Sequence, residues 1–174
     1  MIESLGRAHS VTTHYLGRDD RLRLEDRAVR AVERALAEEA GGILVFLPGQ
    51  GEILRTAERL AERARPGVEI APLYGALDPR DQDRAIAPAP QGKRKVVLAT
   101  SIAETSLTIQ GVRVVIDSGQ ARVPRFDPAS GLTRLATVRV SRAAADQRRG
   151  RAGRTEPGVC YRLWDEAETR ALPA

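Results

Sequence analysis

The chain has 174 residues, 42% hydrophobic and 29% charged, which describes an ordinary globular protein and excludes fibrous or low-complexity classes. No apolar run approaches the ~20 residues that span a bilayer, Met1-Ile2-Glu3-Ser4 lacks the zones of a signal peptide, and a single cysteine, Cys160, excludes an intrachain disulfide framework and a multi-cysteine zinc site, so a cytoplasmic protein is expected. The net charge of +5 is unevenly spread: between Lys93 and Arg154 stand 13 basic and 4 acidic residues, +9 locally against −4 elsewhere.

That asymmetry points to a polyanion partner for part of the surface; the plainer alternative is a solvated arginine-rich face. Val11 to Leu16 reads as an entry strand. Leu24, Ala28, Ala31, Val32 and Leu36 then share one helical face, and Gly41-Gly42 end that helix. Ile43 to Leu47 is a continuous apolar run of the kind buried on both faces of a parallel sheet. Pro48-Gly49-Gln50-Gly51 turns the chain into a second helix through Ile53, Leu54, Ala57 and Leu60. The unit repeats: Val68 to Tyr74 is a strand, and Asp78 to Ile86 a short helix with Asp78 as cap and Pro79 at its first position. Lys95 to Thr100 and Val112 to Asp117 are further buried strands.

Residues 120–140 break the rhythm. Two extended stretches flank Asp127-Pro128-Ala129-Ser130-Gly131, and the alternation after the turn predicts a hairpin exposed on one face. Ser141 caps a helix to Arg149, Gly158 to Leu163 is a last strand, and Asp165 to Leu172 reads as a terminal helix cut short. The alternation predicts an α/β fold, a parallel sheet with helices on both faces, with no domain boundary over 1–174.

Two segments carry chemistry. Thr100 to Ile109 follows a buried strand, where open α/β sheets bind ligands, and its hydroxyls and amides suit a phosphodiester backbone. The same residues also suit a polar connection whose Ser and Thr cap a helical turn. Gln147-Arg148-Arg149-Gly150-Arg151-Ala152-Gly153-Arg154 spaces arginines across glycines that permit close backbone approach. Guanidinium groups bind phosphate bidentately and keep their charge at neutral pH. No Gly-x-x-x-x-Gly-Lys-Ser/Thr cradle and no Asp-Glu-x-His-like acidic pair occur, so magnesium ligands are not expected on this chain. His9 and His14 have no ligand partners in sequence, and Cys160 reads as core.

Thr100 to Ile109, Val115-Ile116-Asp117-Ser118-Gly119 and Gln147 to Arg154 resemble motifs V, Va and VI of the DEAH/RHA group of superfamily 2 helicases. Val45-Phe46-Leu47-Pro48-Gly49 with Glu52-Ile53 resembles motif IV, and the order and spacing agree over roughly residues 11–168. Tyr74-Gly75-Ala76-Leu77, Ala89 to Thr100 and Arg125-Phe126-Asp127-Pro128 look most like the bacterial branch of the group.

The resemblance implies a RecA-like second lobe with a protruding hairpin near 120–140, its ends truncated, working beside a first lobe and C-terminal accessory domains. It implies that Gln147, Arg151 and Arg154 face the γ-phosphate of ATP, with Mg2+ held by the first lobe, and that Arg151 and Arg154 are arginine fingers. Arg148 matches a position less clearly tied to ATP, the alternative being a structural ion pair. Gly75, Thr100, Ser101, Thr105, Ser106 and Thr108 are implied contacts to single-stranded RNA, with DNA possible. The resemblance places Ile86 where eukaryotic-type members of the group stack a phenylalanine on the nucleotide base. The function implied is an ATP-dependent RNA helicase, inactive as this chain alone. The alternative is a non-catalytic nucleic-acid-binding module of the same fold. A phosphate-handling enzyme using the arginines directly has no nucleophile or metal constellation behind it.

Overall fold

In a computed structural model, which describes residues 9–63, 65–104 and 107–174, eight strands and four α-helices form. The strands are β1 (Val11–Tyr15), β2 (Gly42–Phe46), β3 (Val68–Leu73), β4 (Arg94–Ala99), β5 (Val112–Asp117), β6 (Gln120–Asp127), β7 (Leu132–Arg139) and β8 (Gly158–Arg162). The helices are α1 (Leu24–Glu38), α2 (Gln50–Glu62), α3 (Pro79–Ile86) and α4 (Arg142–Gly150). Six strands make one parallel sheet in the order β1-β8-β5-β2-β4-β3.

β2 lies at its centre, with Leu44 opposite Val97 on one side and Val115 on the other. The side chains of each central strand point alternately to two cores. Ile43, Val45, Val96, Leu98, Val114 and Ile116 pack with α1 and α2 through Val32, Ala35 and Ile53. Leu44, Phe46, Val97, Ala99, Val115 and Cys160 pack on the opposite face against Ala85 of α3, Ala103 and Ala152. Burial on both sides is why these strands read as unbroken apolar runs.

Local chemistry sets the element ends. The Asp78 carboxylate accepts from the Arg80 amide at 2.8 Å with Pro79 at the first position of α3, and Ser141 Oγ accepts from the Ala144 amide at 3.0 Å at the start of α4. Both caps stand where the sequence places them. Gly41, at φ +88°, takes the chain out of α1 toward β2 in a conformation other residues resist.

Two expectations change. The hairpin of β6 and β7 is exposed on both faces over its outer half, not on one. It forms a separate two-stranded sheet, and its base meets the body at Ala121 and Val140. Phe126, Leu132 and Leu135 therefore stand in solvent at 66%, 59% and 68% exposure. The last segment, expected as a short terminal helix over Asp165 to Leu172, is a 3-10 helix over Glu166–Ala171 with no buried residue. Six residues with no apolar face to bury cannot hold a longer helix.

Candidate nucleotide and nucleic-acid interface

The loops that leave the carboxyl ends of β3 and β4 carry most of the predicted nucleic-acid contacts. After β3 the chain turns through the exposed Gly75, and the Gln82 side chain of α3 holds that turn by donating to the carbonyls of Tyr74, Gly75 and Leu77 at 3.3, 3.2 and 3.1 Å. After β4, Thr100 is half-buried, its amide donating to Leu73 O at 3.4 Å. Ser101 opens a 3-10 turn over Ser101–Ala103, and its side chain is exposed. Gly75, Thr100 and Ser101 thus share one edge of the sheet. Thr105 and Ser106 lie outside the described residues.

Behind this edge sits a buried arginine. Arg148, on α4, is fully shielded from solvent. Its Nε donates to Glu104 Oε2 at 2.7 Å, its Nη1 to Asp117 Oδ1 at 2.8 Å and to Gln120 O at 3.2 Å, and its Nη2 to Ser101 Oγ at 3.1 Å. The guanidinium also lies over the Phe46 ring, 4.8 Å from its centre. Burial works against its charge, but Asp117 and Glu104 together raise its pKa above the ordinary arginine value. Of the two sequence readings for Arg148, the structural ion pair is the one that forms.

The other motif VI arginines have different surroundings. Arg151 is 6% exposed; its Nε donates to the Glu104 backbone carbonyl at 2.6 Å, and its Nη2 is buried with no hydrogen-bond partner among the described residues. Arg151, the exposed Arg154, Thr108, Gln110 and Thr155 line one cavity of about 400 Å³, floored by Leu44, Ala103 and Val112. Burial, then the neighbouring Arg154 charge, lowers the Arg151 pKa from its ordinary value. Arg151 and Arg154 thus place two like charges on one cavity, an arrangement with the chemistry to hold an anion. Thr108, which the sequence groups with nucleic-acid contacts, lines this cavity with the arginines.

Gln147 is exposed on α4 and is not part of the cavity lining. Ile86 is half-buried against the core under α3, and its carbonyl accepts from the Gln110 amide at 3.4 Å. Lys95 Nζ, from the buried strand β4, donates to Arg84 O and Ala87 O at 2.7 Å each and so pins the end of α3 on either side of Ile86. The glycines of motif VI differ. A Cβ on Gly153 would lie 2.6 Å from His9 O and 2.8 Å from Val11 Cγ2, whereas one on Gly150 would meet nothing within 4 Å. Close approach is required at Gly153 alone of the pair.

Sequence reasoning missed Glu104, Gln82 and Gln110. Each lies within or beside a motif, but its role depends on a partner 5 to 44 residues away, which no local pattern reports. His14 stacks on Tyr161 with ring centres 5.2 Å apart, and Cys160 is buried, its thiol pushed up to about 12 by burial and by Asp117. Among the described residues no cluster of His, Cys, Asp and Glu could hold a metal ion.

Known proteins resemble this chain in sequence and fold. Residues 27–156 match the helicase conserved C-terminal domain. The ATP-dependent RNA helicase HrpB of Escherichia coli K12 is 54% identical over 163 residues, which cover 94% of this chain and 20% of that protein. The pre-mRNA-splicing factor ATP-dependent RNA helicase prp22 of Schizosaccharomyces pombe is 44% identical over 171 residues, 95% of this chain and 15% of that protein. The crystal structure of the E. coli DExH-box NTPase HrpB superposes with a TM-score of 0.92 at 52% identity, covering 97% of this chain and 21% of that one. The chain spans about one fifth of the length of the E. coli relative and less of the yeast one. With a six-stranded parallel sheet and motif VI packed against its strands β5 and β8, the chain has the RecA-like α/β fold and belongs to the helicase conserved C-terminal domain family.

Proposed function

We propose that this chain is the second lobe of an ATP-dependent RNA helicase and completes an ATP site whose phosphate cradle and Mg2+ ligands belong to a first lobe. The observation that carries the reading is Arg151: buried, with its Nη2 unpartnered among the described residues, on a cavity it shares with Arg154. Burying a donor without a partner costs on the order of 1–3 kcal/mol, which a phosphate oxygen arriving from the first lobe recovers. In the transition state, charge spread over the transferred phosphoryl oxygens draws on both guanidinium groups, the role of arginine fingers. Gln147 serves at the rim of the same interface, and Ile86 offers the base an aliphatic rather than an aromatic surface.

Gly75, Thr100 and Ser101 meet the sugar-phosphate backbone of single-stranded RNA from the carboxyl edge of the sheet, Thr105 and Ser106 are assigned the same partner, and Thr108 acts from the lining of the nucleotide cavity. Contacts of this kind are independent of sequence, as stepping along any strand requires. Alone, the chain turns over no ATP. C-terminal domains of the same protein accompany the lobe, and the cytoplasm is the compartment.

Titration of a labelled single-stranded RNA into the chain at several salt concentrations tests the binding half of this reading. We expect weak, sequence-independent affinity whose logarithm falls with log salt by about 0.7 per phosphate contact. Salt-independent binding, or strong preference for one sequence, contradicts it.

A further inference from the structure

Gln82 directs its whole side-chain amide at one turn. Nε2 donates to Tyr74 O at 3.3 Å, Gly75 O at 3.2 Å and Leu77 O at 3.1 Å, and the Leu77 amide closes the same turn onto Tyr74 O at 3.0 Å. The carbonyls of the turn are thus engaged from within the molecule. Its amides are not: among the described residues those of Gly75 and Ala76 have no acceptor, and both residues are exposed.

The donor is itself held still. Gln82 is half-buried, and its backbone amide donates to Asp78 O at 2.9 Å in the first turn of α3. Ala85 of the same helix, 2% exposed, packs in the core with Leu73 at the end of β3, and Lys95 holds the far end of α3 through Arg84 O and Ala87 O. Gly75 adds an independent observation. Its φ lies outside the left-handed region, and a Cβ built on it meets nothing within 4 Å. Neither backbone conformation nor packing within the chain requires glycine there. What the missing side chain leaves open is the approach of a ligand to the backbone of the turn.

We propose that Gln82 is a positioning residue for the nucleic-acid strand: by holding the carbonyls of Tyr74, Gly75 and Leu77 it sets the amides of Gly75 and Ala76 as donors to one phosphate of the sugar-phosphate backbone. This rests on the reading of Gly75 given above. Neutral donors hold a phosphate without displacing its counterions, so the affinity they add is independent of salt and blind to the 2′-hydroxyl.

Labelled oligouridylate and oligothymidylate, titrated with the chain at several salt concentrations and followed by fluorescence anisotropy, give lines of log affinity against log salt. Gln82→Ala is expected to lower affinity for both strands about fivefold at every salt concentration, the worth of one neutral hydrogen bond. Its lines then run parallel to the parent's, whereas loss of an arginine contact would cut the slope by about 0.7. Gly75→Ala should produce the same parallel loss with Tm unchanged within about 2 °C, which separates strand contact from folding. In NMR titrations of the isotopically labelled chain with oligouridylate, the amides of Gly75, Ala76 and Ser101 move in the parent. In Gln82→Ala the Ser101 amide still moves and the responses of Gly75 and Ala76 fall at least severalfold, a selectivity that general loosening of the fold does not give. A chimera in which this chain replaces the matching stretch of the E. coli relative supplies a further readout. There Gln82→Ala raises the RNA concentration for half-maximal ATPase stimulation about fivefold, with kcat at saturating RNA and KM for ATP held within about twofold. Parental affinity in Gln82→Ala, a changed slope, or a loss confined to the ribose strand overturns the role of Gln82 and leaves the proposed function standing, as does a silent Gly75 in a parent whose Ser101 responds. Silence at both Gly75 and Ser101 overturns the nucleic-acid reading of this edge and the positioning role with it.

Discussion

Arg148 Nη1 lies 2.8 Å from Asp117 Oδ1, and neither side chain has any exposure to solvent. The pair joins α4 to the end of β5, and Glu104 adds a second carboxylate at 2.7 Å. A guanidinium so placed is satisfied by its partners rather than by water. Removing one member strands a charge in the interior, which is costlier than the net worth of the pair. Arg148→Met is therefore expected to destabilise the chain by about 3–5 kcal/mol in urea unfolding. The double change Arg148→Met with Asp117→Leu is expected to recover part of that loss, and a double variant no better than the single one counts against the pair as a charge-balanced unit.

A second carboxylate ties the hairpin to the body. Glu52 on α2 takes two hydrogen bonds from Arg122 of β6, at 3.2 and 2.8 Å. Partial burial pushes its pKa up, but the Arg122 guanidinium outweighs this and holds the carboxyl below its ordinary range. A depressed carboxylate contributes stability that is complete above the unfolded-state pKa and is lost as pH falls through the folded one. The difference in Tm between the parent and Glu52→Gln should thus be about 2–4 °C at pH 7 and shrink toward zero below the carboxylate range. Glu25, held down by Arg55, keeps an acid limb in both proteins. A difference that is constant with pH would assign Glu52 a purely steric role.

Much of this was legible in the residues themselves. Buried strands announce themselves as apolar runs, and the caps Asp78 and Ser141 are local signals with local causes. Motif VI reads as a phosphate-directed stretch, and of its four arginines those at 148, 151 and 154, which only the resemblance told apart in sequence, take three different places in space. Arg148 is an internal strut, Arg151 a buried donor with one anchor, and Arg154 an exposed partner. What separates them is the arrival of Glu104 and Asp117 from other elements, a long-range fact with no periodicity to reveal it. The hairpin's two exposed faces escaped the sequence for a similar reason: alternation reports which residues share a face, not whether anything covers it.

The two glycines of motif VI supply a contrast. Gly150→Ala enters open space at a helical position, where alanine is the better helix former, and should leave stability unchanged or raise it by up to about 1 kcal/mol. Gly153→Ala drives a Cβ against His9 O and Val11 Cγ2 and should cost about 1–3 kcal/mol in thermal unfolding, loosening the contact between motif VI and β1. Equal tolerance at both positions would mean that the β1 approach to Gly153 is not as drawn.

The most direct measurement of the central claim is steady-state ATP hydrolysis, with and without single-stranded RNA, by the chimera of this chain with the E. coli relative. Arg151→Ala and Arg154→Ala should each lower kcat by at least ~10³ while ATP affinity changes little, because a finger acts on charge that develops in the transition state. Lysine at either position should rescue poorly, since an ammonium cannot reproduce the bidentate fork. If both alanine variants retain near-parental turnover, Arg151 and Arg154 are not fingers and the cavity they line is not part of an ATP site.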